Sequence, residues 1–374
     1  MGRAAIGVKP QPRCGPLRME ARGGGPSLGR VGSKVLIAGG GVAALEAALA
    51  LRELGGDRLE LELCSPRAEF VYRPFAFGAR LGATPAFRSD LRVVAERIGA
   101  RFRLDGIAAV EPQDGVAIAR SGARIPYDYL LVAVGAQPVS AVPGAVTFWG
   151  ATDEGRLDGL VRRMRTGMLR ELVFTMPEGA GWGPALYELA LFGARVLARS
   201  GIEDARLIVA TPEPAPLSSF GSAAGRRIEL KLGESGIAVR HAVRPLAFEG
   251  GRLRTEPGEP IEAAAAIGLP RLEPCRIDGL TAAAGGFLSV GEDGRVAGTE
   301  RVFAAGDVTD FPVKRAAIAA QQADLAAAGL TAAAGYRVEA PPPPAPRWPE
   351  PEQGLPGNRL GPFLAGRVAV MMTR

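Results

Sequence analysis

The chain has 374 residues, more than one compact core usually holds, so its length predicts two domains. Hydrophobic residues make up 47% and charged residues 22%, as in an ordinary soluble globular protein, and no apolar run is long enough to predict a membrane-spanning helix. The net charge of +6 lies wholly in residues 1–34, which hold seven basic residues and one acidic residue, so the remaining chain is neutral and offers no general attraction to nucleic acid.

Residues 1–32 are rich in glycine, proline and arginine. This composition predicts a disordered basic tail, and the segment contains no apolar stretch of the length found in signal peptides. Nucleic-acid binding through this tail is the least favoured of the functions that the sequence allows.

A glycine-rich turn follows the first predicted strand. Residues 35–38 are apolar, and three glycines and an alanine- and leucine-rich helix come after them. Gly39 and Gly41 match the first two glycines of the G-x-G-x-x-G dinucleotide-binding pattern, and Ala44 takes the third place, where a small residue lets helix and strand pack closely. Such a turn directs backbone N–H groups and the helix N-terminus at a phosphate. The residues predicted to form this nucleotide-binding turn are Gly39, Gly40, Gly41, Val42, Ala43 and Ala44.

The second predicted strand, residues 59–63, alternates leucine with glutamate. The dinucleotide pattern predicts an acidic residue about 20 residues beyond the glycines, where it binds a ribose hydroxyl. Glu60 and Glu62 lie inside the strand and are expected to face away from the ligand. Ser65 follows the strand and is better placed, so we predict that its hydroxyl contacts the ribose instead.

A second strand–loop–helix–strand pattern begins after residue 150. Strands are predicted at 171–175, 207–210 and 237–239, and helices at 184–199 and 222–235. Because this order repeats the first unit, we predict an inserted domain of the same dinucleotide-binding type.

The glycine loop of the inserted domain leaves nicotinamide binding open. Gly179, Gly181 and Gly183 permit close backbone approach to a ligand. Trp182 is bulky, however, and Pro184 removes an N–H donor where a pyrophosphate would need one. Glu213, just after a predicted strand, is a candidate partner for a ribose hydroxyl.

The chain returns to the first domain after about residue 265, and residues 302–305 form an apolar strand that ends at Gly306 and Asp307. More than 250 residues separate this segment from the first glycine turn, yet both are apolar strands that end in glycine before a helical segment. Asp307 offers a carboxylate where a polyol chain could lie. A chain in which an early and a late segment both contribute to one nucleotide site is predicted to bind FAD.

Two further segments carry a family resemblance. Residues 127–135, YDYLLVAVG, resemble the strand that precedes the second flavin contact in flavoproteins with two dinucleotide-binding domains. Residues 311–314, FPVK, with AAQQAD at 319–324, resemble the sulfide:quinone oxidoreductase and flavocytochrome c sulfide dehydrogenase branch of the pyridine nucleotide-disulfide oxidoreductase-like family, to which type II NADH dehydrogenases are close. The resemblance spans about residues 33–330 and implies two Rossmann-like domains, the second inserted in the first.

The resemblance also implies roles for single residues. It places Asp307, with Gly306, at the ribityl chain of FAD. It places Lys314 beside the flavin ring as the catalytic residue, where a cation and a helix dipole favour the anionic reduced form. An ordinary surface lysine is the alternative. The other flavin contacts that it implies are Arg73, Pro74, Ala133, Val134 and Gly135, and an ordinary loop is the alternative for the first two.

The three cysteines, Cys14, Cys64 and Cys275, are scattered along the chain. They form neither a C-x-x-C pair nor a metal-ligand spacing, so no metal site is predicted, and a reducing cytoplasm is the expected location. For sulfide oxidation the resemblance implies cysteine chemistry beside the flavin. Because paired cysteines are absent, neither sulfide:quinone activity nor disulfide reductase activity is expected.

The sequence thus predicts an α/β protein with two Rossmann-like dinucleotide-binding domains. The predicted parts are the tail at 1–32, a discontinuous FAD-binding domain at 33–149 and 266–335, an inserted NAD(P)-type domain at 150–265 and a Pro-rich C-terminal segment at 336–374. The predicted function is an FAD-dependent oxidoreductase that passes electrons from a small-molecule donor, with NAD(P)H as a candidate, to an unidentified acceptor such as a quinone. The alternative is a non-catalytic flavin-binding or interaction module whose second nucleotide site is degenerate. No nucleic-acid partner is expected, membrane association is not favoured, and a homodimer is left open.

Overall fold

The computed structural model describes residues 32–71, 88–149, 154–180 and 183–338. The predicted basic tail up to residue 31, the C-terminal segment from residue 339, and the predicted flavin contacts Arg73 and Pro74 lie outside these residues. The strands, in chain order, are β1 (Ser33–Ala38), β2 (Leu59–Ser65), β3 (Glu69–Val71), β4 (Arg88–Asp90), β5 (Arg101–Leu104), β6 (Ile107–Glu111), β7 (Val116–Ala119), β8 (Arg124–Pro126), β9 (Tyr129–Val132), β10 (Ala136–Val139), β11 (Val146–Thr147), β12 (Glu171–Thr175), β13 (Arg206–Ala210), β14 (Ile237–Arg240), β15 (Arg244–Glu249), β16 (Arg252–Glu256), β17 (Ile261–Glu262), β18 (Ala265–Gly268), β19 (Arg271–Pro274) and β20 (Val302–Ala304). The α-helices are α1 (Val42–Gly55), α2 (Leu91–Ile98), α3 (Glu154–Arg165), α4 (Pro184–Arg199), α5 (Ser222–Glu234) and α6 (Ala316–Ala333).

Local chemistry sets where several helices begin and end. The Asp90 side chain accepts a hydrogen bond from the backbone N–H of Arg92 at 2.7 Å and so caps α2. The same helix ends at Gly99, whose φ of +74° suits glycine. Helix α4 starts with Pro184, which lacks only an N–H that the first turn leaves unbonded.

Five parallel strands form the first sheet in the order β20, β9, β1, β2, β5. The chain starts at the centre with β1, moves outward through β2 and β5, and later adds β9 and β20 on the other side. The direction of growth therefore reverses between β1 and β9. In doubly wound sheets, the carboxyl ends of the strands at such a reversal form the crevice in which ligands bind.

Helices cover one face of this sheet and a small antiparallel sheet covers the other. Helices α1, α2 and α6 pack on the first face, and strands β6, β7 and β8 pack on the second. The alternating strand β2 divides accordingly, since Leu61 and Leu63 are buried with the helices. Glu62 instead pairs with Arg103 of β5, at 2.5 Å. The strand that the alternation of leucine and glutamate predicted at residues 59–63 is present as β2.

The second sheet repeats the same plan. Its order is β11, β18, β12, β13, β14, with every pair parallel. Helices α3, α4 and α5 belong to the core on one face, and the antiparallel strands β15, β16 and β17 lie on the other side. The predicted fold class, with one Rossmann-like unit inserted in another, is therefore confirmed.

A two-stranded antiparallel ribbon of β10 and β19 marks where the chain leaves the first sheet and returns to it. Strands β11 and β18 pair within the second sheet, and the range of 150–265 for the inserted domain stays a prediction. Among the described residues, no helix combines the length and apolar character needed to cross a membrane.

Candidate functional site

The predicted cofactor residues gather along one edge of the first sheet. They follow the carboxyl ends of four neighbouring strands, β20, β9, β1 and β2. The residues brought together there are Gly39 to Gly41 after β1, Ser65 at the end of β2, Ala133, Val134 and Gly135 after β9, and Gly306 and Asp307 after β20. This edge includes the reversal between β1 and β9, the usual ligand crevice of such a sheet.

The turn after β1 is closed on one side and open on the other. Gly39 has a φ of +133°, and a Cβ there would lie 2.2 Å from the carbonyl oxygen of Ala133. Only glycine fits this approach between β1 and β9. A Cβ on Gly41 would meet no heavy atom within 4 Å, and this residue begins α1 without a side-chain cap. The open side of the turn and the uncapped helix start thus fit a pyrophosphate group.

The two distant segments of the predicted nucleotide site touch. A Cβ on Gly306 would lie 2.8 Å from the Cβ of Ala43, in the first turn of α1. Gly306, with a φ of +83°, therefore lets the turn after β20 pack directly on the phosphate-loop helix. Asp307 follows at once and is half-buried at the same edge.

A buried polar network holds the turn that carries Asp307. The side-chain oxygen of Gln322, on α6, accepts a hydrogen bond from the Gly306 N–H at 2.9 Å. The Gln322 amide donates to the Thr309 hydroxyl at 3.0 Å, and that hydroxyl donates to the Gly306 carbonyl at 2.9 Å. Gln322 and Thr309 are 5% and 0% exposed, so both polar groups of Gly306 are satisfied inside the protein.

Sequence reasoning assigned no role to Gln322 or Thr309. The available signal was a glutamine within an alanine-rich helical segment. A buried polar side chain on such a helix needs a partner, although the sequence does not reveal which one.

Lys314 lies between this network and an aromatic ring. Its ammonium group donates a hydrogen bond to the Thr309 carbonyl and sits 4.1 Å from the centre of the Phe287 ring. Burial lowers the pKa of Lys314, and the nearby carboxylates of Asp307 and Asp310 oppose that shift. The side chain is half-buried, which differs from the freely solvated surface lysine of the alternative interpretation.

Arg315, the next residue, lies at the N-cap position of α6, and its side chain reaches a residue of the inserted domain. Its guanidinium lies 3.8 Å from the centre of the Phe220 ring. Burial lowers the pKa of Arg315 to about 10, which still leaves the group charged at neutral pH. The neighbouring cations Lys314 and Arg315 therefore each contact an aromatic ring, and both lie at the N-terminus of α6.

Ser65 is buried at the end of β2, but its hydroxyl is turned into a local loop. The hydroxyl donates to the carbonyl of Arg67 at 3.0 Å and accepts from the N–H of the same residue at 3.2 Å. Its predicted contact with a ribose stays a prediction and would require the donated bond to be exchanged.

At the equivalent edge of the inserted domain, Glu213 is held close to the glycine loop. Its carboxylate accepts a hydrogen bond from the Tyr187 hydroxyl, and one carboxylate oxygen lies 3.6 Å from where a Cβ on Gly183 would be. Glu188 follows Tyr187 on α4. Burial raises the pKa of Glu188 to about 7, and the nearby Arg195 opposes the shift.

The cysteines do not form a reactive pair in the described residues. Cys64 is 1% exposed, its thiol donates to the Asp105 carbonyl at 3.3 Å, and burial raises its pKa to about 12. Cys64 is thus a buried thiol, and no disulfide joins it to Cys275. Within the part of the chain that the structure describes, no group of three or more metal-binding side chains comes together.

Comparison with known proteins places this geometry in a family context. The family model described as pyridine nucleotide-disulphide oxidoreductase matches residues 33–323. The alternative NAD(P)H-ubiquinone oxidoreductase C1, chloroplastic/mitochondrial, of Arabidopsis thaliana is 24% identical to the chain, and the match covers 81% of this chain and 68% of that protein.

Solved structures share the fold. The sulfide:quinone oxidoreductase from the hyperthermophilic bacterium Aquifex aeolicus matches with a TM-score of 0.69 and 22% identity, over 79% of this chain and 75% of that one. NDH2 from Plasmodium falciparum, solved in complex with NADH, matches with a TM-score of 0.62 and 16% identity, over 74% of this chain and 64% of that one. At these identities the likeness establishes a common architecture.

Proposed function

The chain belongs to the pyridine nucleotide-disulphide oxidoreductase family and is an FAD-dependent oxidoreductase, and we propose that it passes electrons from NAD(P)H through bound FAD to an acceptor such as a quinone. The choice of donor and acceptor is supported by the A. thaliana relative, whose name states both. It is also supported by the second Rossmann-like sheet, which a flavin site alone would not require.

The observation that carries the proposal is the contact between the turn after β1 and the turn after β20. Gly306 packs on Ala43 at the start of α1, so the turn that carries Asp307 lies against the helix that follows the phosphate-type loop. An uncapped helix start and a half-buried carboxylate at one edge of the sheet suit an extended ligand that carries phosphate at one point and hydroxyl groups at another.

The protein's own residues supply position and charge in this proposal. The open side of the turn at Gly41 and the start of α1 offer N–H groups to the pyrophosphate. Asp307 accepts hydrogen bonds from the ribityl hydroxyls, and the Gln322 network fixes the turn that carries it. Lys314 holds a positive charge at the N-terminus of α6. FAD, when bound, supplies the two-electron redox chemistry.

The test is an anaerobic absorbance titration of the full chain loaded with FAD. NADH and then NADPH are added, followed by a soluble quinone analogue. Bleaching of the visible flavin band by either nucleotide, and its return with the quinone, is the expected result. A chain that stays colourless when offered FAD would contradict the cofactor site. A flavin that binds but is reduced by neither nucleotide would favour the alternative of a non-catalytic flavin-binding module.

Lys314→Met is expected to lower the midpoint potential of the bound flavin by about 30 mV, which is ~1.4 kcal/mol for a two-electron couple. Loss of the cation removes stabilisation of the negative charge that reduction brings to the site. Spectroelectrochemical titration measures this potential without depending on turnover. The control is Lys231→Met, since Lys231 is exposed on α5. An unchanged potential would limit Lys314 to supporting the Thr309 turn.

We also propose that the protein is cytoplasmic and that its partners are a small-molecule electron donor and acceptor. A homodimer is compatible with this proposal. The location draws on the scattered cysteines, of which Cys64 is buried as a thiol. Gel filtration with light scattering gives the oligomeric state directly.

A further inference from the structure

A contact between two side chains links the two Rossmann-like units, one of which is built on each parallel sheet. The guanidinium of Arg315 lies 3.8 Å from the centre of the Phe220 ring. Arg315 stands at the N-cap of α6, which packs in the core of the first sheet, and Phe220 belongs to the buried core of the second sheet. The pair is therefore a non-covalent link between the first unit and the second.

The position of Phe220 is set by the second unit. The residue is 8% exposed and lies in the segment that joins β13 to α5. Its N–H donates to the carbonyl of Leu217 at 2.8 Å, and Leu217 is itself buried in the same core. The Leu217 N–H donates to the Glu213 carboxylate at 3.1 Å. The ring is therefore held by packing and by a chain of hydrogen bonds that leads back to the end of β13.

The position of Arg315 is set by the first unit. Its carbonyl accepts a hydrogen bond from the Ala319 N–H at 2.8 Å, in the first turn of α6. Lys314, the residue before it, donates to the Thr309 carbonyl and contacts the Phe287 ring. Adjacent cations thus contact different units, since Lys314 is bound to the turn that follows β20 and Arg315 contacts the second sheet's core.

The covalent connections between the two units run side by side. Strands β10 and β19 pair in one antiparallel ribbon, which extends from Ala136 opposite Pro274 to Val139 opposite Arg271. Relative motion of two units joined in this way is the default unless a further interface restricts it. A half-buried guanidinium on an aromatic face is such a restriction, because the attraction is stronger where the cation is partly desolvated.

Electron transfer from NAD(P)H depends on how the two units are oriented. The proposed function has the flavin in the first unit and the nucleotide in the second, and transfer of a hydride from nicotinamide to flavin requires the two rings to be in near contact. We propose that Arg315 and Phe220 are positioning residues, whose contact holds the two units at the angle that brings the nicotinamide of the donor to the flavin. The inference rests on the proposed function, because it concerns the alignment of that enzyme's two sites.

The first test is stopped-flow reduction of the FAD-loaded full chain by the nucleotide that reduces the parent. Phe220→Leu and Arg315→Met should each lower the limiting rate about tenfold, the effect of a small misalignment. The half-saturating nucleotide concentration should change by less than about twofold, because neither change removes a group that binds the nucleotide. The double variant should be no slower than the slower single variant, since both changes remove one contact.

Two further variants separate alignment from charge. Arg315→Lys keeps a cation for the ring and should retain at least about half of the parent rate. Phe220→Leu keeps both cations at the start of α6, so the midpoint potential of its flavin should equal that of the parent. The matched control is Arg92→Met, because the Arg92 guanidinium lies 5.8 Å from the Phe102 ring and both residues belong to the first unit. This control should keep the parent rate, and thermal melts establish that each variant is folded.

The second test needs no electron donor. Spin labels are attached through Glu292→Cys in the first unit and Glu234→Cys in the second, both at exposed positions, in a chain that carries Cys14→Ser and Cys275→Ser. Cys64 is buried and is not labelled. Pulsed electron paramagnetic resonance then gives the distribution of distances between the labels. The distribution should be narrow in the parent and in Arg92→Met, and broader in Arg315→Met and Phe220→Leu.

Two results would overturn the inference. One is a folded Phe220→Leu variant that is reduced as fast as the parent, since a slow Arg315→Met variant with a lowered flavin potential would then assign Arg315 to the electrostatics of the flavin. The other is a distance distribution that is the same in the parent and in both variants. A parent flavin that neither nucleotide reduces would contradict the proposed function, and the distance distributions would still decide whether the pair holds the two units together.

Discussion

Replacing Gly41 with alanine is expected to leave the folded chain nearly as stable as the parent while weakening FAD binding by about tenfold or more. The φ of −92° is accessible to alanine, and the new Cβ would meet no heavy atom within 4 Å. The change at a helix N-cap should cost no more than about 1 kcal/mol. The methyl group would instead fill the open side of the turn, where glycine lets the backbone approach a pyrophosphate.

Gly39→Ala is the matched variant, and it should lower the stability of the folded chain. Its Cβ would lie 2.2 Å from the Ala133 carbonyl oxygen, at a φ of +133°. The overlap is hard to relieve, because the Gly39 N–H donates to the Cys64 carbonyl at 2.8 Å and the Ala133 N–H donates to the Ala38 carbonyl at 2.7 Å. We expect a loss of about 3 kcal/mol in the free energy of unfolding.

Two measurements separate these variants. Urea unfolding of the FAD-free proteins reports stability, and quenching of FAD fluorescence on binding reports affinity. If the Gly41→Ala protein bound FAD as tightly as the parent, the pyrophosphate would not lie on this turn. If the Gly39→Ala protein kept the parent stability, the close approach of β1 and β9 would be relaxed at little cost.

Gln322→Leu is expected to lower the free energy of unfolding by about 2 kcal/mol. Leucine fills a similar volume but leaves the buried Gly306 N–H without its acceptor. The turn that carries Asp307 also loses its support, so FAD binding should weaken about tenfold, beyond what the stability loss alone explains. Thermal and urea unfolding, with FAD titration at a temperature where the variant is folded, measure both effects.

The neighbouring residue provides the control for this variant. Gln321 is exposed on the same helix, so Gln321→Leu should change neither stability nor FAD affinity by much. A Gln322→Leu protein that is destabilised yet binds FAD like the parent would show that the network supports the core and not the cofactor turn.

Hydrophobic period and turn residues were enough to predict most of the elements. The strand at Glu171–Thr175 and the helix at Pro184–Arg199 have the predicted bounds, because an apolar run and a proline at the first helical turn are local signals. The glycine turn at Gly39 was also predictable, since the strand before it and the helix after it give the motif its context.

The sequence could not predict which side chains from distant parts of the chain contact each other. The side-chain partners of Gln322 and Glu213 come from other elements, so no local pattern predicts them. Ser65 has the predicted position at the end of β2, but its hydroxyl finds a nearer partner in the Arg67 backbone. Short serine side chains often prefer such local bonds, which compete with a ligand.

The nested order of the strands has a consequence for synthesis of the chain. The inserted sheet is complete once Gly268 has been made, whereas β20 and α6 of the first sheet are made only later. More than 150 residues separate β9 from β20, and α1 packs on α6. The domain that is begun first is therefore finished last, and until then it has an unpaired strand edge and an uncovered apolar helix, features that favour misassembly and chaperone binding. We expect a nascent chain on the ribosome to contain a folded inserted domain between two halves of an unfinished one.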